Sequence, residues 1–115
     1  MNEGDVVLAL LPQADWDLKY RPAILLRRMP PFNDVLVCGV SSQLQHETPD
    51  FDETIGPGDA DYAQSGLKTA SLIRLGFLVV LPTSDIAGRL GSISPERHRR
   101  LLVRLCDYLR PDESA

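Results

Sequence analysis

Five short apolar runs, each ended by proline, glycine or a polar turn, constrain what this 115-residue chain can fold into. They occupy residues 5–11, 21–28, 35–40, 71–75 and 77–81. Runs this short and rich in valine, isoleucine and leucine are typical of buried strands, because most helices are longer. Gly76 stands alone between the last two runs, which predicts a bulge or tight bend. The pattern predicts a mainly β fold built as a small antiparallel barrel.

The segments between the runs are predicted to be irregular. Residues 12–20 are expected to form a loop with two aromatic side chains, and residues 29–34, which include Pro-Pro and Asn-Asp, a turn. Residues 86–91 are expected to form one helical turn followed by an extended stretch. The predicted connections are therefore as short as those of a compact domain, apart from the segment that follows the third run.

A single long helix is predicted at the end of the chain. Ser94 is a suitable N-cap and Pro95 suits the first helical position, while Arg110 and Pro111 mark the end. Leucines at helical spacing form one apolar stripe: Leu101, Leu102, Leu105 and Leu109. Four arginines lie mostly off that stripe, and a solvated face is favoured over a nucleic-acid patch: Arg97, Arg99, Arg100 and Arg104.

The net charge of −4 comes from one segment of the chain. Residues 47–66 contain six acidic residues and no lysine or arginine, which leaves 12 basic and 10 acidic residues elsewhere, a balance of +2. An acidic stretch that also contains glycine and proline is predicted to be a solvated loop with partial disorder. The overall charge therefore does not argue against an RNA partner.

Several classes of protein are disfavoured by simple features of the sequence. No apolar run approaches the length needed to cross a bilayer, and the first residues lack the basic start of a signal peptide. Cys38 and Cys106 lie in apolar stretches and are predicted to be buried free thiols, which suits a reducing compartment. No metal-ligand spacing is present. The sequence predicts a cytoplasmic protein without metal, cofactor or membrane association.

Arg21 and the hydroxyls of Ser41 and Ser42 form the first candidate site. Arg21 opens the second apolar run, and the two serines close the third. If those strands are neighbours, a forked cation and two hydroxyl donors converge at one place. Such a group is suited to hold a phosphate.

Other chemically capable side chains have two interpretations each. Arg74 either pairs with an acid such as Asp5 or points into the site, because an unpaired charge within an apolar strand is costly. His46 follows the third strand closely enough to approach Ser41, but an exposed position beside the acidic segment is favoured. His98, in the first turn of the terminal helix, is predicted to be solvated.

Five sequence stretches resemble the MazF/PemK family of toxins of type II toxin–antitoxin systems. They are GDVV (4–7), RPAILL (21–26), VSSQL (40–44), SLIRL (71–75) and LGSIS (90–94). These stretches follow the order found in the family and extend over about residues 4–109, nearly the whole chain. The resemblance therefore implies a single toxin domain over residues 1–115 and an SH3-like barrel.

The resemblance also implies a function. Members of the family are usually homodimers that cut single-stranded mRNA without a metal, and a small antitoxin blocks their site. The family's catalytic arginine and hydroxyl residue match Arg21 and Ser41. Relatives commonly have threonine at the second position, so Ser41 keeps the donor and loses a methyl that restricts its rotamer. The implied reaction is attack of the RNA 2′-hydroxyl on the adjacent phosphorus, which leaves a 2′,3′-cyclic phosphate and a 5′-hydroxyl.

The loop before Arg21 departs from the family pattern, because many relatives have a glycine-rich loop there. Trp16 and Tyr20 either stack on unpaired bases or cover the edge of the core. Asp15 and Asp17 would repel phosphate unless one of them acts as a base. The predicted substrate-binding residues are Trp16, Lys19, Tyr20, Ser42, Gln43 and Arg74.

The altered loop and the acidic segment favour an alternative function. The alternative is a non-catalytic module on the same barrel, either similar to the CcdB-like gyrase inhibitors or an inactive domain that binds RNA or protein.

Overall fold

The computed structural model describes residues 1–112, in which six antiparallel strands form one sheet and a long helix follows them. The strands are β1 (Asp5–Pro12), β2 (Leu18–Met29), β3 (Asp34–Ser41), β4 (Glu53–Ile55), β5 (Ser71–Leu81) and β6 (Ile86–Ser92), and the helices are α1 (Tyr62–Ser65) and α2 (Pro95–Leu109). The predicted mainly β class with a C-terminal helix is confirmed. The order across the sheet is β4-β5-β3-β2-β1-β6, so β4 and β6 are its edges and the sheet stays open.

Both faces of the sheet are buried because alternate side chains enter two separate clusters. Ile24 and Leu26 of β2 belong to one cluster, which also contains Leu101 and Leu105 of α2. Ala23 and Leu25 belong to the other, whose buried members all come from strands. The apolar runs are therefore continuous rather than alternating, as in strands buried on both sides. A cluster made only of strand residues also requires the sheet to curl around it.

The first hairpin is longer than the sequence predicted. β2 begins at Leu18, and Leu10 and Leu11 of β1 pair with Tyr20 and Lys19. The predicted loop over residues 12–20 was therefore wrong at its second half, and the connection is only residues 13–17. Backbone pairing with β1 extends β2 over residues whose side chains are exposed. Because these residues are not apolar in a strand pattern, the sequence does not reveal this part of the strand.

The predicted bulge at Gly76 is confirmed. β5 is continuous from Ser71 to Leu81, but its register against β3 shifts between Cys38 and Gly39. Cys38 pairs with Leu78 whereas Gly39 pairs with Arg74, so the residues between them loop out around Gly76. A bulge of this kind bends the strand and increases the local twist. The two predicted runs are thus two halves of one bent strand.

The acidic segment is ordered, which contradicts the prediction of a solvated loop. It contains β4 and α1, and Asp52, Glu53 and Asp61 are buried. Asp52 accepts hydrogen bonds from the backbone amides of Thr48 (2.9 Å) and Leu75 (3.0 Å). Buried carboxylates are stable only when they are paired in this way. Three of the six acidic residues of this segment are therefore used inside the fold.

The terminal helix provides the partners of the other two carboxylates. Arg97 is buried and lies 2.8 Å from Asp61 and 2.8 Å from Glu53, whereas Arg100 and Arg104 lie 2.8 Å and 3.1 Å from Glu53. The prediction of a solvated face was wrong for Arg97, which is buried, whereas Arg100 is exposed and Arg104 half-buried although both pair with Glu53. Burial would raise the pKa of Glu53, but the hydrogen bond and charge of Arg100, with the charges of Arg104 and Arg97, lower it. We call this group the helix–segment ion network.

The limits of the terminal helix agree with the sequence. The side chain of Ser94 accepts a hydrogen bond from the Arg97 amide (3.1 Å), as an N-cap should. Leu101 and Leu105 are buried and Leu102 is half-buried, but Leu109 is 66% exposed, so the predicted stripe ends one turn early. No helix within the described residues is long and apolar enough to span a membrane.

Two further predictions about single side chains were wrong. His98 is not simply solvated, because its Nε2 lies 2.9 Å from the carbonyl oxygen of Leu26. Cys106 is exposed, since it lies on the outer side of α2. Cys38 is buried as predicted, and burial raises its pKa to about 12, so this thiol is not a ready nucleophile.

The chain from Ile86 to Ser92 forms edge strand β6, so the predicted helical turn at its start was wrong. A short 3-10 turn precedes it at Thr83–Asp85. At Gly91 the strand passes directly against the backbone of α1, and a Cβ atom there would overlap the carbonyl oxygen of Gln64. Gly66 just after α1 meets the Leu90 carbonyl in the same way.

Substitution of Gly91 by alanine is expected to destabilise the fold. The added methyl must displace backbone rather than a flexible side chain, and overpacking of this kind costs about 1–3 kcal/mol. Gly88→Ala is the matched control on the same strand, because its Cβ would have no neighbour within 4 Å. The free energies of unfolding in urea should separate the two variants. Equal stabilities would show that the two backbones do not approach each other in this way.

Candidate functional site

Arg21 and Ser41 lie on neighbouring antiparallel strands at matching positions. Ala23 of β2 pairs with Gly39 of β3, and two further residues along each strand lead to Arg21 and Ser41. Side chains two residues apart point to the same face of a strand. The sequence made the convergence of these residues depend on the two strands being neighbours, and this condition is met.

Both residues line a cleft of ≈ 1180 Å³, which we call the cationic cleft. Its lining contains the cations Arg21, Lys68 and Arg74 and no aspartate or glutamate. None of the three cations forms an ion pair with another residue in the described part of the chain. A molecule of net charge −4 therefore presents a concave surface whose formal charges are all positive. Clefts lined by one sign of charge concentrate ligands of the opposite sign.

The hydroxyl of Ser41 is held in a tight turn at the end of β3. The backbone amide of Gln43 donates a hydrogen bond of 3.0 Å to Ser41 Oγ. Ser41 therefore uses one acceptor position locally, and its O–H stays available as a donor. Ser42 and Gln43 also line the cleft, and the Gln43 side-chain oxygen accepts a hydrogen bond of 2.7 Å from Gln45. The turn therefore fixes the position of the Ser41 hydroxyl oxygen at the cleft.

Arg74 lies at the cleft and does not pair with Asp5. Asp5 instead pairs with Arg89 of β6, at 3.2 Å from its Nε, because β6 lies beside the start of β1. The Arg74 guanidinium lies 5.4 Å from the ring centre of Phe77, within range of a cation–π contact. Phe77 in turn covers Gly39, where a Cβ would lie only 3.1 Å from the ring. Of the two interpretations of Arg74, position at the site is the one that the structure supports.

The predicted aromatic and basic residues before Arg21 lie in two places. Trp16, at the hairpin tip, is 88% exposed and lines the cleft, with a left-handed backbone φ of 69°. Tyr20 is 51% exposed, and neither it nor Lys19 belongs to the lining. Trp16 is therefore too exposed to cover the edge of the core, whereas about half of Tyr20 is covered. Asp15 accepts a hydrogen bond from the Asp17 amide (3.0 Å) and closes the turn.

Two residues of the cleft had little or no signal in the sequence. Lys68 lies between α1 and β5, where its convergence with Arg21 depends on the path of the whole acidic segment. His46 is exposed as predicted, but it also lines the cleft. A lone lysine in a polar connection carries no local signal of function, and the only hint of His46 was its distance in sequence from Ser41.

The chain is similar to known proteins in sequence pattern and in fold. Residues 2–109 match the family model described as PemK-like, MazF-like toxin of type II toxin–antitoxin system. A search of curated protein sequences found no match. Among solved structures, the chain is similar to Mycobacterium tuberculosis toxin MazF-mt6, with a TM-score of 0.69 and 18% sequence identity over 94% of this chain and 98% of that one. At this identity the structural match supports the fold, and the family model supports the resemblance drawn from the sequence.

Proposed function

The chain belongs to the family of PemK-like, MazF-like toxins of type II toxin–antitoxin systems, and from this premise we propose that it is an endoribonuclease that cleaves single-stranded mRNA. The observation that carries the proposal is the cationic cleft, in which Arg21 and Ser41 lie together and no carboxylate repels a phosphate. Arginine is suited to this work because its planar fork can bind two phosphate oxygens at once.

The proposed reaction uses the RNA as its own nucleophile. The 2′-oxygen attacks the adjacent phosphorus, the bond from phosphorus to the 5′-oxygen breaks, and the products are a 2′,3′-cyclic phosphate and a 5′-hydroxyl. Arg21 stabilises the charge that develops on the non-bridging oxygens, and the Ser41 hydroxyl donates a hydrogen bond that fixes the phosphate. We propose no metal or cofactor in this step.

The rest of the cleft is proposed to hold the strand on either side of the cleaved bond. Arg74 and Lys68 supply cations for neighbouring phosphates, and Ser42 and Gln43 supply polar contacts. Trp16 offers an exposed ring on which an unpaired base can stack, a contact that requires single-stranded RNA. Lys19 and Tyr20 lie outside the lining, so we assign them to the flanking part of the strand.

The test is incubation of the purified protein with single-stranded RNA, with and without EDTA. We expect cleavage in both conditions, and products that end in a 2′,3′-cyclic phosphate and a 5′-hydroxyl. Ser41→Ala should lower the rate about 10- to 100-fold, the usual worth of one hydrogen bond to a charged group. Ser84→Ala is the control, because Ser84 is exposed and outside the cleft.

Two results would contradict the proposal. An inert protein that binds gyrase or another protein would favour the non-catalytic alternative. Cleavage that stops in EDTA would contradict the reaction described here.

The proposal includes partners and a setting that follow from family membership. We propose that a cognate antitoxin binds the toxin and blocks the cleft, that two copies form a homodimer, and that the protein acts in the cytoplasm. The single toxin domain over residues 1–115 stays a prediction, and its residues 113–115 lie outside the described part of the chain.

A further inference from the structure

The proposed reaction needs a group that removes the proton of the 2′-hydroxyl. Arg21 cannot do so, because a guanidinium is fully protonated at neutral pH. Lysine side chains are also protonated under these conditions, and a serine hydroxyl is a weak base. The cleft lining contains no carboxylate. Among the titratable side chains of the lining, His46 is the one whose residue type exchanges protons near neutral pH.

His46 reaches the cleft through a short series of turns that starts at Ser41. The Gln43 amide donates to Ser41 Oγ (3.0 Å), and the Leu44 amide donates to the Ser42 carbonyl oxygen (3.1 Å). A 3-10 turn follows, in which the His46 amide donates to the Gln43 carbonyl oxygen (3.1 Å). These bonds fix the backbone between Ser41 and His46, both of which line the cleft, and the His46 ring nitrogens have no hydrogen-bond partner within residues 1–112.

The other histidine shows what a structural role looks like in this fold. His98 is partly buried, its Nε2 lies 2.9 Å from the Leu26 carbonyl oxygen, and its ring packs beside Gly4. His46 has none of these contacts and stands exposed at the cleft. A free imidazole that lines an anion-binding cleft has the chemistry of a proton acceptor.

We infer that His46 is a catalytic residue, the general base of the cleavage proposed above, on which this inference rests. A ring nitrogen of the neutral imidazole takes the 2′-hydroxyl proton as the bond between the 2′-oxygen and phosphorus forms. The bond from phosphorus to the 5′-oxygen breaks, and that oxygen takes a proton from water. The hydroxide that remains is neutralised by the imidazolium, which restores the starting form of the enzyme.

The charges around His46 come from several elements. Arg21 belongs to β2, Arg74 to β5 and Lys68 to the connection before β5, and all three line the same cleft. Glu47, the next residue in the chain, is exposed and lies outside the lining. The three cations bind the phosphates, which leaves proton transfer as the task that His46 can perform.

The first test measures the pH profile of kcat/KM for RNA cleavage. The parent protein should lose activity towards low pH as the base becomes protonated. His46→Ala should lower kcat about 10²- to 10⁴-fold with little change in KM, and the low-pH limb should disappear. Thr48→Ala is the control, since Thr48 is exposed two residues after His46 and lies outside the cleft lining.

Two further measurements separate a base from a structural role or an acid. Added imidazole should raise the rate of His46→Ala but not that of the parent protein. A substrate with sulfur in place of the bridging 5′-oxygen needs no protonation of its leaving group, so the defect of His46→Ala should persist on it.

If His46→Ala cleaves RNA at the parental rate and with the parental pH profile, the inference is overturned and the proposed function is unaffected. Full recovery on the sulfur substrate would overturn the assignment as a base. A parent protein that does not cleave RNA would overturn both the inference and the proposed function.

Discussion

Arg21→Ala is expected to reduce RNA cleavage about 10²- to 10³-fold, the usual effect of removing one preorganised donor to a developing anion. Arg21 and Ser41 lie opposite each other on β2 and β3, two residues past the pair Ala23–Gly39. The Arg21 guanidinium forms no ion pair with an acidic residue of the described chain. The loss should appear mostly in kcat, because charge on the non-bridging oxygens rises in the transition state. Initial rates on a short single-stranded RNA measure it.

Arg27→Ala is the matched control for this prediction. Arg27 belongs to the same strand, is exposed, and pairs with Glu3 at 3.5 Å outside the cleft. An exposed ion pair contributes little to stability, so this variant should fold and cleave as the parent does. Urea unfolding of both variants should show that Arg21→Ala is folded. Undiminished cleavage by a folded Arg21→Ala protein would contradict the assigned role.

Arg97→Ala is expected to lower the free energy of unfolding by about 3–5 kcal/mol, because it leaves buried carboxylates without their partner. Arg97 donates to Asp61 through Nε (2.8 Å) and Nη2 (3.1 Å) and to Glu53 through Nη1 (2.8 Å). Its side chain is only 7% exposed. A loss of this size is a large part of the stability of a small domain. Urea unfolding at neutral pH measures it.

The ion pair between Arg97 and Asp61 predicts how the stability of the fold depends on pH. Burial would raise the pKa of Asp61, but the hydrogen bond and charge of Arg97, with the Ser94 amide, lower it to about 2 from 3.8. A carboxyl group whose pKa is lowered by folding stabilises the folded state at pH values above its unfolded-state pKa. This stabilisation is lost as the pH falls towards the folded-state pKa. The parent protein should therefore lose stability between about pH 4 and pH 2, and Arg97→Ala should lose less there.

Arg99→Ala is the control for Arg97→Ala, since Arg99 is exposed on the same helix and makes no ion pair with another described residue. Surface substitutions of this kind usually change stability by less than about 0.5 kcal/mol. Similar unfolding curves for the two variants would show that the helix–segment ion network does not stabilise the fold.

The sequence predicted those parts of the fold whose signals are local. The five apolar runs correspond to four strands, β1, β2, β3 and β5, Gly76 marks the bulge in β5, and Ser94 with Pro95 marks the start of the last helix. The start of β2 was missed because the ladder to β1 extends it through exposed residues such as Lys19 and Tyr20. Hydrogen bonding between strands leaves no apolar pattern there.

The acidic segment was misread because its partners are remote in sequence. Asp61 and Arg97 are separated by 36 positions and Glu53 and Arg97 by 44. Composition alone describes such a segment as solvated. Lys68 was missed for a similar reason, because its position at the cleft depends on how the acidic segment before it folds. Arg74 had two interpretations from sequence, and the pairing of β1 with β6 decided between them by giving Asp5 to Arg89.

The acidic pI of about 5.0 is a poor guide to whether this protein can bind a polyanion. Asp52, Glu53 and Asp61 are buried among hydrogen-bond donors, whereas Arg21, Lys68 and Arg74 stand open at the cleft. Titration to the isoelectric point weighs every group equally, but a bound strand responds only to the groups that it touches. Chromatography on an anion exchanger and on an immobilised nucleic acid would therefore retain the same molecule through different residues. Retention on the second should weaken with salt in proportion to the few phosphates held.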